Sequence, residues 1–165
     1  MRIKKTFTVL AKVASECLKS HALAQKTIVV PIDFSESSVK ALRHAAAMAE
    51  RDDARLTLVN VVEEPQSFRT LDAPTRQLQE EQNRALQLQQ LAQRELHSNQ
   101  TIHIEVREGN PPQEIVRLAS RQNADLIVVG LGDWHGLQRW FHGHVAARIL
   151  REACCPVLML KDKSA

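Results

Sequence analysis

The sequence predicts an α/β protein built on a doubly wound, five-stranded, mostly parallel sheet with helices on both faces. Three observations predict it. Five short runs rich in β-branched residues alternate with amphipathic helical stretches from Thr27 onward. The fourth run, ADLIVVG (Ala124–Gly130), is apolar without alternation, as in a strand buried on both faces. Strands linked through helices require right-handed crossovers, which make them parallel.

The elements follow in order. TIVVPID (Thr27–Asp33) is the first strand, and Ser35 or Ser37 caps the helix in SVKALRHAAAMAERDD. RLTLVNVV (Arg55–Val62) is the second strand. A Pro-bearing loop leads into a Gln-rich helix over Thr75–His97, with Leu78, Ala85, Leu88, Ala92 and Leu96 on its buried side. TIHIEVRE alternates as the third strand. GNPPQEIVRLASRQN reads as a turn and then a helix with proline in its first turn. After Ala124–Gly130 comes a Gly-, His- and Trp-bearing loop, then the helix HVAARILREA and the last strand, CPVLMLK.

Residues 1–25 form a separate extension ahead of a domain spanning 26–165. As a helix, the extension places Ile3, Phe7, Leu10, Ala14, Cys17 and Leu18 on one side. Lys5, Lys12, Glu16 and Lys19 fall largely on the other. Lys12 and Lys19 interrupt any apolar core of a secretory signal. A helix docking on its own domain, on a partner protein or on an anionic membrane surface, and an unstructured tail, all stay open.

Charge and cysteines narrow the class of protein. The net charge of +3 is uneven: residues 1–26 carry six basic side chains against Glu16 alone. The remainder is slightly acidic and offers no basic, aromatic-bearing face, which argues against nucleic-acid binding. No run approaches the roughly 20 apolar residues that cross a bilayer. Cys17, Cys154 and Cys155 form neither a disulfide framework nor a Cys-x-x-Cys metal pattern. The expectation is a soluble, cytoplasmic protein, with the paired cysteines packed where the last helix meets a strand.

In such sheets a ligand sits beyond the carboxyl ends of the strands, where strand order reverses. Asp33 and Gly130 both end strands there. The stretch VVGLGDWHGLQRWFHGHV (Val128–Val145) admits several readings. A dinucleotide fingerprint in GLGDWHG has its third glycine one place late. His135, His142 and His144 match no helical His-x-x-x-His pair for zinc, so solvated histidines are the simpler reading and no metal site is assigned. Trp134 and Trp140 are read as packing residues rather than base-stacking ones. Neither a P-loop nor a Gly-x-Ser-x-Gly elbow is present, and no catalytic residue is assigned.

The segments IVVPIDFSESSVKALRHAAAMA, LTLVNVVEEP, VREGNPPQEIVRLASRQNADLIVVG and LREACCPVLML together resemble the universal stress protein family. That resemblance implies a Rossmann-like sheet with strand order 3-2-1-4-5 and a fold similar to the adenine nucleotide alpha hydrolases. It also implies a stress-response protein of the cytoplasm that is usually a homodimer, here through the edge strand Pro156–Leu160. Some members bind ATP or another adenine nucleotide and others do not, and magnesium could accompany a bound nucleotide. In the binding branch Pro31 and Asp33 would meet the ribose or adenine side, and Val59 to Val61 would bracket adenine. The phosphates would lie on a loop written Gly, two residues, Gly, nine residues, Gly, then Ser or Thr. This chain supplies Gly130, Asp133, Gly143 and His144 at those four places, with Val145 next.

Two of the four depart. A carboxylate at Asp133 repels phosphate oxygens unless a metal lies between them, whereas an imidazole at His144 still donates a hydrogen bond. Three functional readings follow: an adenine-nucleotide sensing module favouring AMP or ADP over ATP, a nucleotide-independent dimeric scaffold, and a weak ATP hydrolase.

Overall fold

A computed structural model describes residues 25–63, 73–96, 100–132 and 144–161, with backbone alone at residues 73–77 and 144. In chain order the elements are β1 (Thr27–Pro31), α1 (Glu36–Asp52), β2 (Arg55–Val62), α2 (Ala73–Glu95), β3 (Ile102–Glu108), α3 (Pro111–Arg121), β4 (Leu126–Leu131), α4 (His144–Glu152) and β5 (Val157–Lys161). The five strands form one sheet in the order β3-β2-β1-β4-β5, and every pairing is parallel.

The period-2 pattern of the strands divides the core into two layers. Even-numbered residues of the first two strands, Ile28, Val30, Leu56 and Leu58, pack with Leu42 and Ala45 of α1 and Leu88 and Leu91 of α2. Odd-numbered Val29, Val59 and Val61 pack with Ile115 and Leu118 of α3 and Ile149 of α4. β4 serves both layers, Val128 in one and Ile127 and Val129 in the other, as its unbroken apolar run requires. Removing such a side chain from water contributes roughly 1.5–3 kcal/mol, which fixes the register of each strand against a one-residue slip.

Two polar side chains on this frame tie distant segments together. Thr57 donates its hydroxyl to Gln122 Oε1 at 2.7 Å, and Asp125 accepts the N–H of Thr27 at 2.8 Å. Asn110 and the two prolines after it start α3 as the turn chemistry predicts.

Three details differ from the sequence reading. The first strand ends at Pro31 rather than Asp33, because Phe34 takes a left-handed φ of 65° and a turn begins there. Leu78 is 56% exposed, whereas Leu88, Leu91, Ala92 and Leu96 make the buried side of α2. Only the second half of α2 crosses the sheet closely enough to bury that stripe. Cys154 is exposed, and Cys155 alone packs against the α3–α4 layer. Burial and the adjacent Cys154 push the Cys155 thiol up to about 11.

No described helix is long and apolar enough to cross a membrane.

Candidate functional site

The carboxyl ends of β1 and β4 are neighbours in space but not in sequence, so the strand order reverses between them. What the chain builds there begins with Asp33. Its Oδ1 accepts both the backbone N–H of Ser35, at 2.9 Å, and the Ser35 hydroxyl. Phe34 sits between them in the left-handed region, a conformation that costs a non-glycine residue roughly 1–2 kcal/mol. The two bonds to Asp33 offset that cost and hold the carboxylate at the mouth of the crevice, with Oδ2 used by neither of them.

Ser35 is also the N-cap of α1. Its hydroxyl oxygen accepts the N–H of Ser38 at 3.2 Å and lies 2.9 Å from the hydroxyl of Ser37. The sequence left Ser35 and Ser37 as alternative caps; the structure gives the cap to Ser35 and buries Ser37 against β4. That packing is close. A Cβ built on Gly130 would lie 2.1 Å from the Ser37 carbonyl oxygen and 2.8 Å from the Ser38 nitrogen. Gly130 is therefore required by the approach of the α1 backbone to β4.

On the other side of β1 the wall is β2. By the parity that sends Leu56 and Leu58 toward α2, Asn60 also faces α2, while Val59 and Val61 turn their side chains to the α3 layer. Asn60 is 5% exposed. Its Nδ2 donates to the Ile32 carbonyl at 2.7 Å, and its Oδ1 has no partner among the described residues. Ile32 in turn donates its N–H to the Val59 carbonyl at 2.8 Å, so the extended backbone continues one residue beyond the β1 ladder.

Asp33, Asn60, Val61, Val62 and Glu63 line a cleft of about 160 Å³, closed on its outer side by Glu80 and Arg84 of α2. The Arg84 guanidinium lies 5.8 Å from the centre of the Phe34 ring and 3.5 Å from Glu80. Three acidic residues and one arginine line the cleft. Such a cleft suits a neutral, hydrogen-bonding group and repels a phosphate. Gly109, with φ 124°, closes the carboxyl end of β3 beside it and donates its N–H to the Val62 carbonyl at 2.9 Å.

The sequence-predicted positions are thus partly gathered. Pro31 is buried as the last residue of β1, in register with Val59. Asp33 and Val61 line the cleft, and Gly130 closes the opposite wall of the β1–β4 crevice. Val145 packs its side chain against the α3–α4 layer, away from the cleft. Asp133 and Gly143 lie outside the described residues, as do Trp134, His135, Trp140 and His142. Of His144 only the backbone is described, opening α4. Among the described residues, no three His, Cys, Asp or Glu side chains are grouped to hold a metal ion.

Sequence reasoning placed Asn60 only within the stretch Val59 to Val61 and missed its side chain, along with Arg84 and Phe34. Asn60 did leave a signal, as the one amide in an otherwise apolar strand centre, LTLVNVV. Arg84 and Phe34 left none, since only the tertiary fold brings α2 over the end of β1.

Comparison with known proteins agrees with this architecture. The model of the Universal stress protein family matches residues 25–161. A universal stress protein of Methanocaldococcus jannaschii is 34% identical, the match covering 96% of this chain and 97% of that one. The solved structure of the universal stress protein UspA from Lactobacillus plantarum is similar with a TM-score of 0.65 at 26% identity, covering 83% of this chain and 99% of that one. A universal stress protein solved in complex with cAMP shares the fold with a TM-score of 0.61 at 24% identity, over 83% of this chain and 97% of that one. Strand order, the crevice at Asp33 and Gly130, and a family match spanning all the described residues lead to one conclusion: the chain belongs to the universal stress protein family.

Proposed function

We propose that this chain is a stress-response module that senses an adenine nucleotide by binding it, without turning it over. The observation that carries the reading is the cleft at the ends of β1 and β2. It sets a held carboxylate at Asp33 beside Asn60, whose buried amide oxygen has no partner among the described residues, and both are acceptors suited to an adenine amino group or a ribose hydroxyl. The cAMP complex of a protein with the same fold supports an adenine nucleotide as the class of ligand. The surplus of carboxylates favours the base or ribose end in this cleft and a ligand with few phosphates. Gly130 and the start of α4 at His144 would face the phosphate end, with Asp133, Gly143 and any magnesium completing that end of the site.

Calorimetric titration with AMP, ADP and ATP, each with and without magnesium, tests the proposal. AMP or ADP binding at least as tightly as ATP is the expected order. No binding by any of the three overturns it, and release of phosphate from ATP that stops in Asp33→Asn favours the weak-hydrolase reading instead.

A homodimer through β5 is a second part of the proposal, supported by the position of that strand at the sheet edge and by Met159, which is 37% exposed. Because Ile127 donates to the Pro156 carbonyl, the even-numbered residues of β5 turn their backbone toward β4. Val157 and Met159 turn theirs outward. Met159→Pro therefore removes an outward N–H and spares the β4 ladder. It should convert a dimer to monomers on a sizing column with light scattering; a dimer that persists places the interface elsewhere.

A further inference from the structure

The outer side of α2 lacks charge over its whole visible length. Leu78, Gln82, Leu86, Gln89 and Gln93 recur at spacings of four, four, three and four, and all five are exposed. The charged residues of the same stretch, Glu80, Glu81, Arg84, Arg94 and Glu95, fall on other sides of the helix. A solvated helix face ordinarily carries charge; an uncharged one at this spacing is the pattern of a helix–helix seam. Two of its residues, Leu78 and Leu86, are 56% and 52% exposed.

At its lower end this face opens into a groove between α2 and the edge strand β3. The groove has a volume of about 340 Å³, and Gln89, Gln93, Ala92 and Leu96 line it with Ile102 and Ile104. Gln100 at its floor donates to the Ala46 carbonyl at 2.8 Å, and its buried Oε1 has no partner among the described residues.

We propose that the occupant of this face is the amphipathic segment of the same chain that precedes residue 25. Its apolar residues Ile3, Phe7, Leu10, Ala14 and Cys17 recur at four, three, four and three, complementary to the seam on α2. The lengths agree. Leu78 to Gln93 spans roughly 22 Å as a helix and Ile3 to Cys17 roughly 21 Å.

The point of attachment agrees as well. Lys26 stands at the amino end of β1, where its carbonyl accepts from Arg55, and Leu56 of β2 donates to Thr101 just before β3. The groove floor is thus about two strand spacings away, roughly 10 Å, well within the reach of the seven residues from Lys19 to Gln25. The segment then runs alongside α2 in the same direction, with Cys17 near Gln93 and Ile3 near Leu78. Its basic side, Lys5, Lys12 and Lys19, stays in solvent. The match to the Methanocaldococcus jannaschii relative covers 96% of this chain, so most of this segment lies within the aligned region.

Cys17 makes the test direct. In the full chain with Cys154→Ser and Cys155→Ser, Gln93→Cys is compared with Arg121→Cys, an exposed position on α3 across the sheet. Disulfide formation under diamide is read as a faster-migrating monomer on a non-reducing gel. A within-chain bridge needs Cα atoms within about 7 Å, so Gln93→Cys should form it in over half the molecules and Arg121→Cys in under about a tenth. Adding Phe7→Asp and Leu10→Asp should lower the Gln93 yield to that of the control. Equal yields at the two positions, no bridge at Gln93, or bridges only between chains each overturn the proposal, the last in favour of a second copy as occupant. Full-chain binding to anionic vesicles with no bridge at Gln93 overturns it in favour of a membrane surface.

Discussion

The α-carbon of Gly130 faces the carbonyl of Ser37 so closely that a single added carbon would lie 2.1 Å from its oxygen. This contact seats the N-terminus of α1 on the end of β4 and sets the width of the crevice between β1 and β4.

Gly130→Ala should accordingly destabilise the protein by about 2–3 kcal/mol, since the obstacle is backbone and either α1 or β4 must move. Gly132→Ala provides the contrast. There the nearest atom is the Ser37 hydroxyl at 3.3 Å, which can rotate, so the change should stay within about 0.5 kcal/mol. Urea unfolding midpoints of the two variants check the difference.

Asn60 joins stability to binding. Asn60→Ala removes the donor to Ile32 and should cost about 1 kcal/mol of stability, while weakening AMP roughly tenfold by deleting an acceptor that has no partner among the described residues. Asn60→Asp keeps the shape but presents a second acceptor to the Ile32 carbonyl, and should be the less stable of the two. Retained AMP affinity in a folded Asn60→Ala would move the ligand out of this cleft.

Ser35→Ala should cost about 1 kcal/mol through the lost cap of α1. It also strips Asp33 of its hydroxyl donor, so nucleotide affinity should fall although Ser35 need not touch the ligand. Chemical denaturation and calorimetry on the same preparation separate the two effects.

The cysteine pair should react unequally. At pH 8 an alkylating agent should label exposed Cys154 rapidly and Cys155 slowly, because burial holds the Cys155 thiol protonated up to about 11. The fold thus binds the Cys155 proton more tightly than the unfolded chain does. The stability this supplies is complete below about 9 and is lost as pH rises toward 11. Mass spectrometry of the labelled peptides in Cys17→Ser follows both rates.

Part of the cleft was legible before the structure. Asp33 and Gly130 were visible because each closes a strand at the carboxyl edge of the sheet, where a ligand would sit. Their purposes were less visible. Gly130 read as part of a phosphate loop, and the structure adds a packing requirement from α1 that holds whether or not a ligand binds. Leu78 read as core because helical periodicity marks a face without saying how far the sheet extends beneath it.

Hydrophobic period and turn chemistry act within a few residues of each other, so the sequence alone determined the alternation of strands and helices, their order, and which side of most elements turns inward. The three-dimensional fold decided what depends on groups far apart in the chain. It brought Asn60 and Asp33 to one cleft with Arg84 over Phe34, pressed Ser37 onto Gly130, and turned the uncharged face of α2 away from the sheet. Such contacts are set by the spacing between packed layers, a distance that no local pattern of residues encodes.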